Sequence, residues 1–156
     1  MTLMMEYFRA ERDAEIARLR RVLTLRAMLA EGASQREIAA QFGLTQPAIS
    51  YQVAHERTDG VKPSDLIEAG GAVLRQITEQ RGFTELAAFG SAARGDDGPE
   101  SDIDLIVQPP AGADQFDMIH LEETLANILG RDIDLVSYRG LDPRLDQDIL
   151  RDRVLL

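Results

Sequence analysis

Residues 89–107 read FGSAARGDDGPESDIDLIV, and the chain is organised around this stretch. A strand-like run, Leu86-Ala87-Ala88-Phe89, leads into Gly90-Ser91. A short polar loop follows, and then the alternating segment Ser101 to Val107. Strand side chains alternate faces, so Asp102 and Asp104 share one side while Ile103, Leu105 and Val107 share the other. Two carboxylates then lie together on a sheet surface that is backed by a core. Ionised carboxylates this close repel, and a divalent cation relieves the repulsion. Hard oxygen donors without Cys or His suit Mg²⁺ or Mn²⁺. Gly90-Ser91 stands where a strand hands over to a helix start. Glycine lets backbone approach a ligand closely, and helix-start N–H groups receive phosphate. The chemistry implied is phosphoryl or nucleotidyl transfer.

Composition narrows the class. A chain of 156 residues holds one medium domain or two small ones. It has no cysteine, which excludes disulfides and thiolate metal sites. No stretch approaches the apolar length of a membrane span and no secretory signal pattern opens the chain. The expectation is a cytoplasmic protein with no membrane partner. The net charge of −10 is unevenly spread. Residues 1–60 hold eight basic and eight acidic residues, whereas the rest hold nine and nineteen. An acidic catalytic half repels nucleic acid, so only the N-terminal half is suited to binding it.

That half reads as helical. Ile16, Leu19, Leu23 and Ala27 recur at helical spacing, with Arg18, Arg20, Arg21 and Arg26 between them expected on the solvent-facing side, and Gly32 stops the helix. Residues before about Asp13 read as a frayed extension or as part of a dimer contact. Ser34 with Glu37 forms a capping-box pattern ahead of a short helix carrying Ile38, Ala39 and Phe42. Gly43 allows a tight turn, Thr45 caps the next helix, and Pro47 is tolerated in its first turn. Ile49 and Val53 face inward, leaving Thr45, Gln46, Ser50 and Tyr51 outward. This run, Ser34 to Val53, is similar to bacterial repressor helix-turn-helix units. The resemblance implies that these four residues contact operator DNA, with a homodimer reading a two-fold site.

The boundaries expected are a DNA-binding domain over 1–58, a linker over 59–63 and a second domain over 64–156. Ser64 is expected to cap a helix running to about Gln80, which Gly70-Gly71 either breaks or fits closely against the sheet. Phe116, Ile119, Leu125 and Ile128 mark the apolar side of a helix from Asp114 to Leu129. A strand over Asp132 to Ser137 follows, then a final helix over Asp142 to Arg153 with an apolar tail. The fold class expected is α/β (α+β): an all-helical unit followed by a small mixed sheet. His55 and His120 lack ligand spacing, and neither a P-loop nor a Gly-x-Ser-x-Gly elbow is present.

Gly90-Ser91, Ala93-Arg94-Gly95 and, five residues later, Ser101-Asp102-Ile103-Asp104-Leu105 together resemble the signature of minimal nucleotidyltransferases. These belong to the DNA polymerase beta-like nucleotidyltransferase superfamily, and the resemblance runs from about Pro63 to the C-terminus. It implies a third carboxylate on a later strand in an apolar context, which Asp134 between Ile133 and Leu135 supplies. It implies catalytic and metal-binding roles for Asp102, Asp104 and Asp134, and nucleotide-binding roles for Gly90, Ser91 and Arg94. It implies ATP as substrate and Mg²⁺ (or Mn²⁺) as cofactor. Proteins of this type are commonly antitoxins that silence a HEPN-type toxin protein by transferring AMP onto a tyrosine. A fused helix-turn-helix then fits repression of their own operon. The rivals are a regulator whose second domain senses a nucleotide, and a small-molecule nucleotidyltransferase. The three acids of the loop Asp96-Asp97-Gly98-Pro99-Glu100 stand against triphosphate binding.

Overall fold

The fold is described from a computed structural model, covering residues 2–156. Helix α1 spans Leu3–Ala30, with Thr2 accepting a hydrogen bond from the Met5 N–H as its cap. Two short helices follow, α2 (Gln35–Phe42) and α3 (Gln46–His55). Ser34 caps α2 by accepting from the Glu37 N–H, and Gly43 closes it in the left-handed conformation that favours glycine. Thr45 caps α3 by accepting from the Ala48 N–H. Leu25, Ile38, Ala39 and Ile49 form a small core beneath these helices, with Val53 packed against it. Phe42, expected on the apolar side of α2, is instead half exposed.

Helix α4 (Pro63–Gln80) leads to the sheet. It starts two residues earlier than a Ser64 cap requires, with Lys62 at the cap position. Ser64 lies inside the first turn, and its N–H donates to Asp97 Oδ2 at 2.8 Å. The α4 start is thus held by a loop acid distant in sequence. Gly70 and Gly71 do not break the helix. A Cβ at Gly70 would lie 2.7 Å from Leu23 Cδ1, so this glycine seats α1, rather than the sheet, against α4.

The strands are β1 (Thr84–Phe89), β2 (Ile103–Gln108), β3 (Ile133–Ser137) and β4 (Val154–Leu155). Their order is β3-β2-β1-β4, with β3 parallel to β2 and the other pairs antiparallel. A one-turn helix, α5 (Ser91–Arg94), follows β1, and α6 (Gln115–Leu129) connects β2 to β3. This is the expected α/β class, a helical N-terminal part followed by a small mixed sheet. One face of the sheet, with Ala88, Ile103, Leu105 and Ile133, packs on α1, α4 and α6 in one core. Helix α1 contributes Ile16, Leu19, Val22 and Leu23 to that core as well as Leu25 to the N-terminal one.

Two further expectations change. Phe116 and Ile119 on α6 are exposed rather than buried. The last helix, α7, is short (Gln147–Asp152), because Val154 and Leu155 leave it to pair with β1. The Leu156 N–H donates to the Leu86 carbonyl, and its side chain packs against the core.

Candidate active site

The sheet face opposite the main core carries the polar row. Phe89 on β1, Asp104 on β2 and Asp134 on β3 occupy matching register positions across three neighbouring strands. Neighbouring strands lie about 4.8 Å apart, so the two carboxylates are direct neighbours. Asp102 precedes β2 by one residue, and its alternation with Asp104 sends both to the same side. Asp102 and Asp134 are exposed, and Asp104 is half-buried. Burial raises the Asp104 carboxyl above the ordinary aspartate range, and the charges of Asp134 and Asp102 push the same way. Arg94 opposes them, so its positive charge reaches the site.

Gly90 makes this arrangement possible. Its backbone has φ +72°, and a Cβ there would lie 2.5 Å from Asp104 Oδ2. A bare backbone at residue 90 lets the carboxylate lean over the end of β1. Ser91 then opens α5, and Gly95 closes it in a left-handed turn. Arg94 pairs with Asp96 at 3.3 Å. Two of the three loop acids are therefore engaged, Asp96 by Arg94 and Asp97 by the start of α4.

Two residues were not singled out from sequence. Arg131 donates from Nη2 to the Ser101 carbonyl at 2.7 Å and from Nη1 to the Val61 carbonyl. It thereby ties the residue before Asp102 to the segment ahead of α4. Its place directly before the Asp132-Ile133-Asp134 strand start was the available signal. Glu122 on α6 is raised by burial and by the charge of Asp134, while a hydrogen bond from the Leu135 backbone lowers it. Nothing in the α6 sequence marks Glu122 apart from other helix-surface acids.

The donors fit a hard divalent cation. They are carboxylate oxygens, their mutual repulsion is visible in Asp104, and Gly90 keeps that oxygen clear of a side chain. Among the described residues, no three His, Cys, Asp or Glu side chains converge into a preformed cage. A cavity of about 590 Å³, lined by Arg81, Phe83, Pro110 and His120 among others, contains none of the site residues.

The four positions expected to meet DNA are placed unequally. Thr45 and Tyr51 are exposed, whereas Gln46 and Ser50 are half-buried. Gln46 donates from Nε2 to Gln35 Oε1 at 2.7 Å. Tyr51 stacks on His55 with ring centroids 4.0 Å apart. Arg18, expected among the solvent-facing arginines, is bonded to Glu15 and Glu56.

Carboxylates side by side on a small mixed sheet, next to a glycine-serine turn at the end of the adjoining strand, define a nucleotidyltransferase domain. The family described as "Polymerase beta, Nucleotidyltransferase" matches residues 74–156, and the chain belongs to that family. It is 32% identical over 78 residues to MJ0435 of Methanocaldococcus jannaschii, whose name assigns it to the protein adenylyltransferases. That alignment covers 50% of this chain and 84% of the relative. The protein adenylyltransferase MntA of Thermococcus cleftensis is 32% identical over 80 residues, covering 51% of this chain and 81% of its own length. A solved structure described as a minimal nucleotidyltransferase superposes with a TM-score of 0.55 at 33% identity. It accounts for 60% of this chain and 95% of its own. Among the described residues, no helix is long and apolar enough to cross a membrane.

Proposed function

We propose that this chain is an antitoxin that transfers AMP from ATP to a tyrosine of a HEPN-type toxin. The observation that supports this most is the Asp104–Asp134 register on the open sheet face, beside a residue 90 that must stay bare. The names of its relatives point the same way. Asp102, Asp104 and Asp134 would hold Mg²⁺ or Mn²⁺, and such a cation, when bound, neutralises phosphate charge. Gly90 and Ser91 hold the triphosphate, and Arg94 adds a positive charge beside it. The tyrosine oxygen attacks the α-phosphorus, the bond to pyrophosphate breaks, and Asp134 takes the tyrosine proton. Exposure of Asp102 and Asp134 lets an acceptor on another protein reach them.

The N-terminal helices serve operator binding in the same cytoplasmic protein. Thr45 and Tyr51 stand outward at the start and middle of α3, as a recognition helix requires. Repression of its own operon needs two copies, since one such unit reads one half-site. Intact-mass spectrometry of the purified toxin, incubated with this chain, ATP and Mg²⁺, tests the transfer. One added AMP, lost with Asp102→Asn or Asp104→Asn, is expected. No mass gain leaves the nucleotide-sensing regulator as the better reading.

A further inference from the structure

Helix α1 is apolar on two sides. One side, with Ile16, Leu19, Val22 and Leu23, is buried in the core. The other faces solvent. Leu3, Tyr7, Ala10, Ala14, Ala17 and Arg21 follow one another in alternating steps of four and three residues, and all six are exposed. That spacing keeps a seam on the side of a helix that meets another helix. The seam is broadest at its start, where Leu3, Met4, Tyr7 and Phe8 are 89%, 68%, 63% and 62% exposed. Among the described residues, the first side-chain hydrogen bond from α1 to a distant element is that of Arg12, to Asp65 and Glu68. The residues before it project by roughly 13 Å, at about 1.5 Å per helical residue. So short a helical end is marginal in water without packing.

The far end of the same helix borders a groove. Arg21, Thr24, Leu25, Phe42, Leu44 and Gln52 line an open cavity of about 480 Å³. Phe42, at the end of α2, and Leu44, just after it, are half exposed there and together form an apolar patch beside the groove. A projecting apolar end and an apolar groove thus lie on one element of one chain.

We propose that a second copy of this chain occupies this surface. The two α1 helices pack antiparallel about a two-fold axis between Ala14 and Ala17. The Leu3–Phe8 end of each chain then enters the Phe42–Leu44 groove of the other. Tyr7 and Thr24 lie equally far from that axis along the helix, which brings the end of one copy to the groove of the other. The alanines at the crossing let the backbones approach closely. Charge selects both the occupant and its direction. The N-terminal half of α1 carries Glu11 and Asp13, and neither is in an ion pair among the described residues. The C-terminal half carries Arg18, Arg20 and Arg21, of which Arg21 has no ion-pair partner among the described residues. Antiparallel packing sets acids against arginines twice, whereas parallel packing sets like against like. Such a contact closes on itself as a dimer instead of growing into a filament. It stands independently of the transfer reaction.

The absence of native cysteine makes the test direct. Sedimentation analysis of the full chain should give a dimer, and Tyr7→Glu/Phe8→Glu should give a folded monomer whose melting temperature no longer depends on protein concentration, because both side chains are exposed in the single chain. Under mild oxidation Ala14→Cys should cross-link to itself. Leu3→Cys and Tyr7→Cys alone should each stay uncross-linked, whereas Tyr7→Cys should form a mixed disulfide with Thr24→Cys. A monomeric wild-type chain at tens of micromolar overturns the proposal. So does a dimer that persists in the double variant, or a Leu3→Cys chain that links to itself.

Discussion

The Asp104 carboxylate fills the space that a side chain at residue 90 would need, with Oδ2 only 2.5 Å from where a Cβ would sit. Gly90 also adopts φ +72°, which strains any other residue. Gly90→Ala should therefore act twice. It displaces the carboxylate and adds about 1–3 kcal/mol of backbone strain. We expect AMP transfer to fall by about 100-fold, the scale of a 1 Å misplacement at a reacting centre. Circular dichroism should still show a folded chain. Near-normal transfer by the folded variant would refute the steric argument.

Asp104 also makes stability depend on pH. Burial, then the charges of Asp134 and Asp102, hold its carboxyl above the ordinary range. Between its unfolded and folded values the folded state binds more protons. The Asp104 contribution to stability is therefore most favourable below the ordinary aspartate range, falls as pH rises through that window, and levels off above it. Asp104→Asn removes the penalty. Thermal melts in chelator should show the variant more stable than wild type at neutral pH, with no gain below about pH 3. Added Mg²⁺ should narrow the difference, since a cation stabilises the ionised carboxylate of the wild type. A constant difference across the whole pH range would assign the effect to packing.

Arg131 fastens the Ser101 carbonyl at 2.7 Å and the Val61 carbonyl as well. Arg131→Ala leaves both acceptors without this donor and frees the residue before Asp102. Charged hydrogen bonds of this kind contribute about 1.5–3 kcal/mol each. Denaturant unfolding should show a loss of that order. The kcat for AMP transfer should fall more than the KM for ATP rises, and Arg131→Lys should restore only part of it, because a lysine lacks the fork. Lost stability with kcat intact would make Arg131 structural only.

How far the sequence was legible follows the range of the interactions. Asp102 and Asp104 were placed by local alternation, and Asp134 by resemblance to a family motif. Their shared register across β2 and β3 is then set by the sheet. The Ser34 and Thr45 caps were read from neighbours three residues away. The start of α4 was misread because its N–H partner, Asp97, is 33 residues away. The last helix was overextended because Val154 and Leu155 pair with β1, a strand far upstream. Gly70 could not be interpreted without Leu23 lying against it. The second, exposed side of α1 was hidden by the stronger core pattern of Ile16, Leu19 and Leu23. The misses at α4, the last helix and Gly70 are long-range contacts that no local signal encodes.

The last expectation concerns DNA. Gln46 is held by Gln35 through a 2.7 Å hydrogen bond between their side chains, so its amide is oriented before any ligand arrives. An oriented amide suits base-edge recognition, where one well-placed contact discriminates by about 1–3 kcal/mol. Gln46→Ala should lose that discrimination at one base pair in each half-site. Gln35→Ala should lose part of it without touching DNA, by releasing Gln46. Tyr51 is stacked on His55 and exposed, so Tyr51→Ala should also weaken specific binding. Arg18→Ala should change little, because Glu15 and Glu56 already engage its guanidinium. Arg36→Ala, by contrast, removes an exposed charge from the first turn of α2. It should weaken binding to all sequences and make log Kd less steep in salt by about one contact. Fluorescence anisotropy with the native promoter and with a scrambled duplex, at two salt concentrations, separates these outcomes. Equal affinity of the wild-type chain for both duplexes at both salts would remove operator binding from the account of this protein.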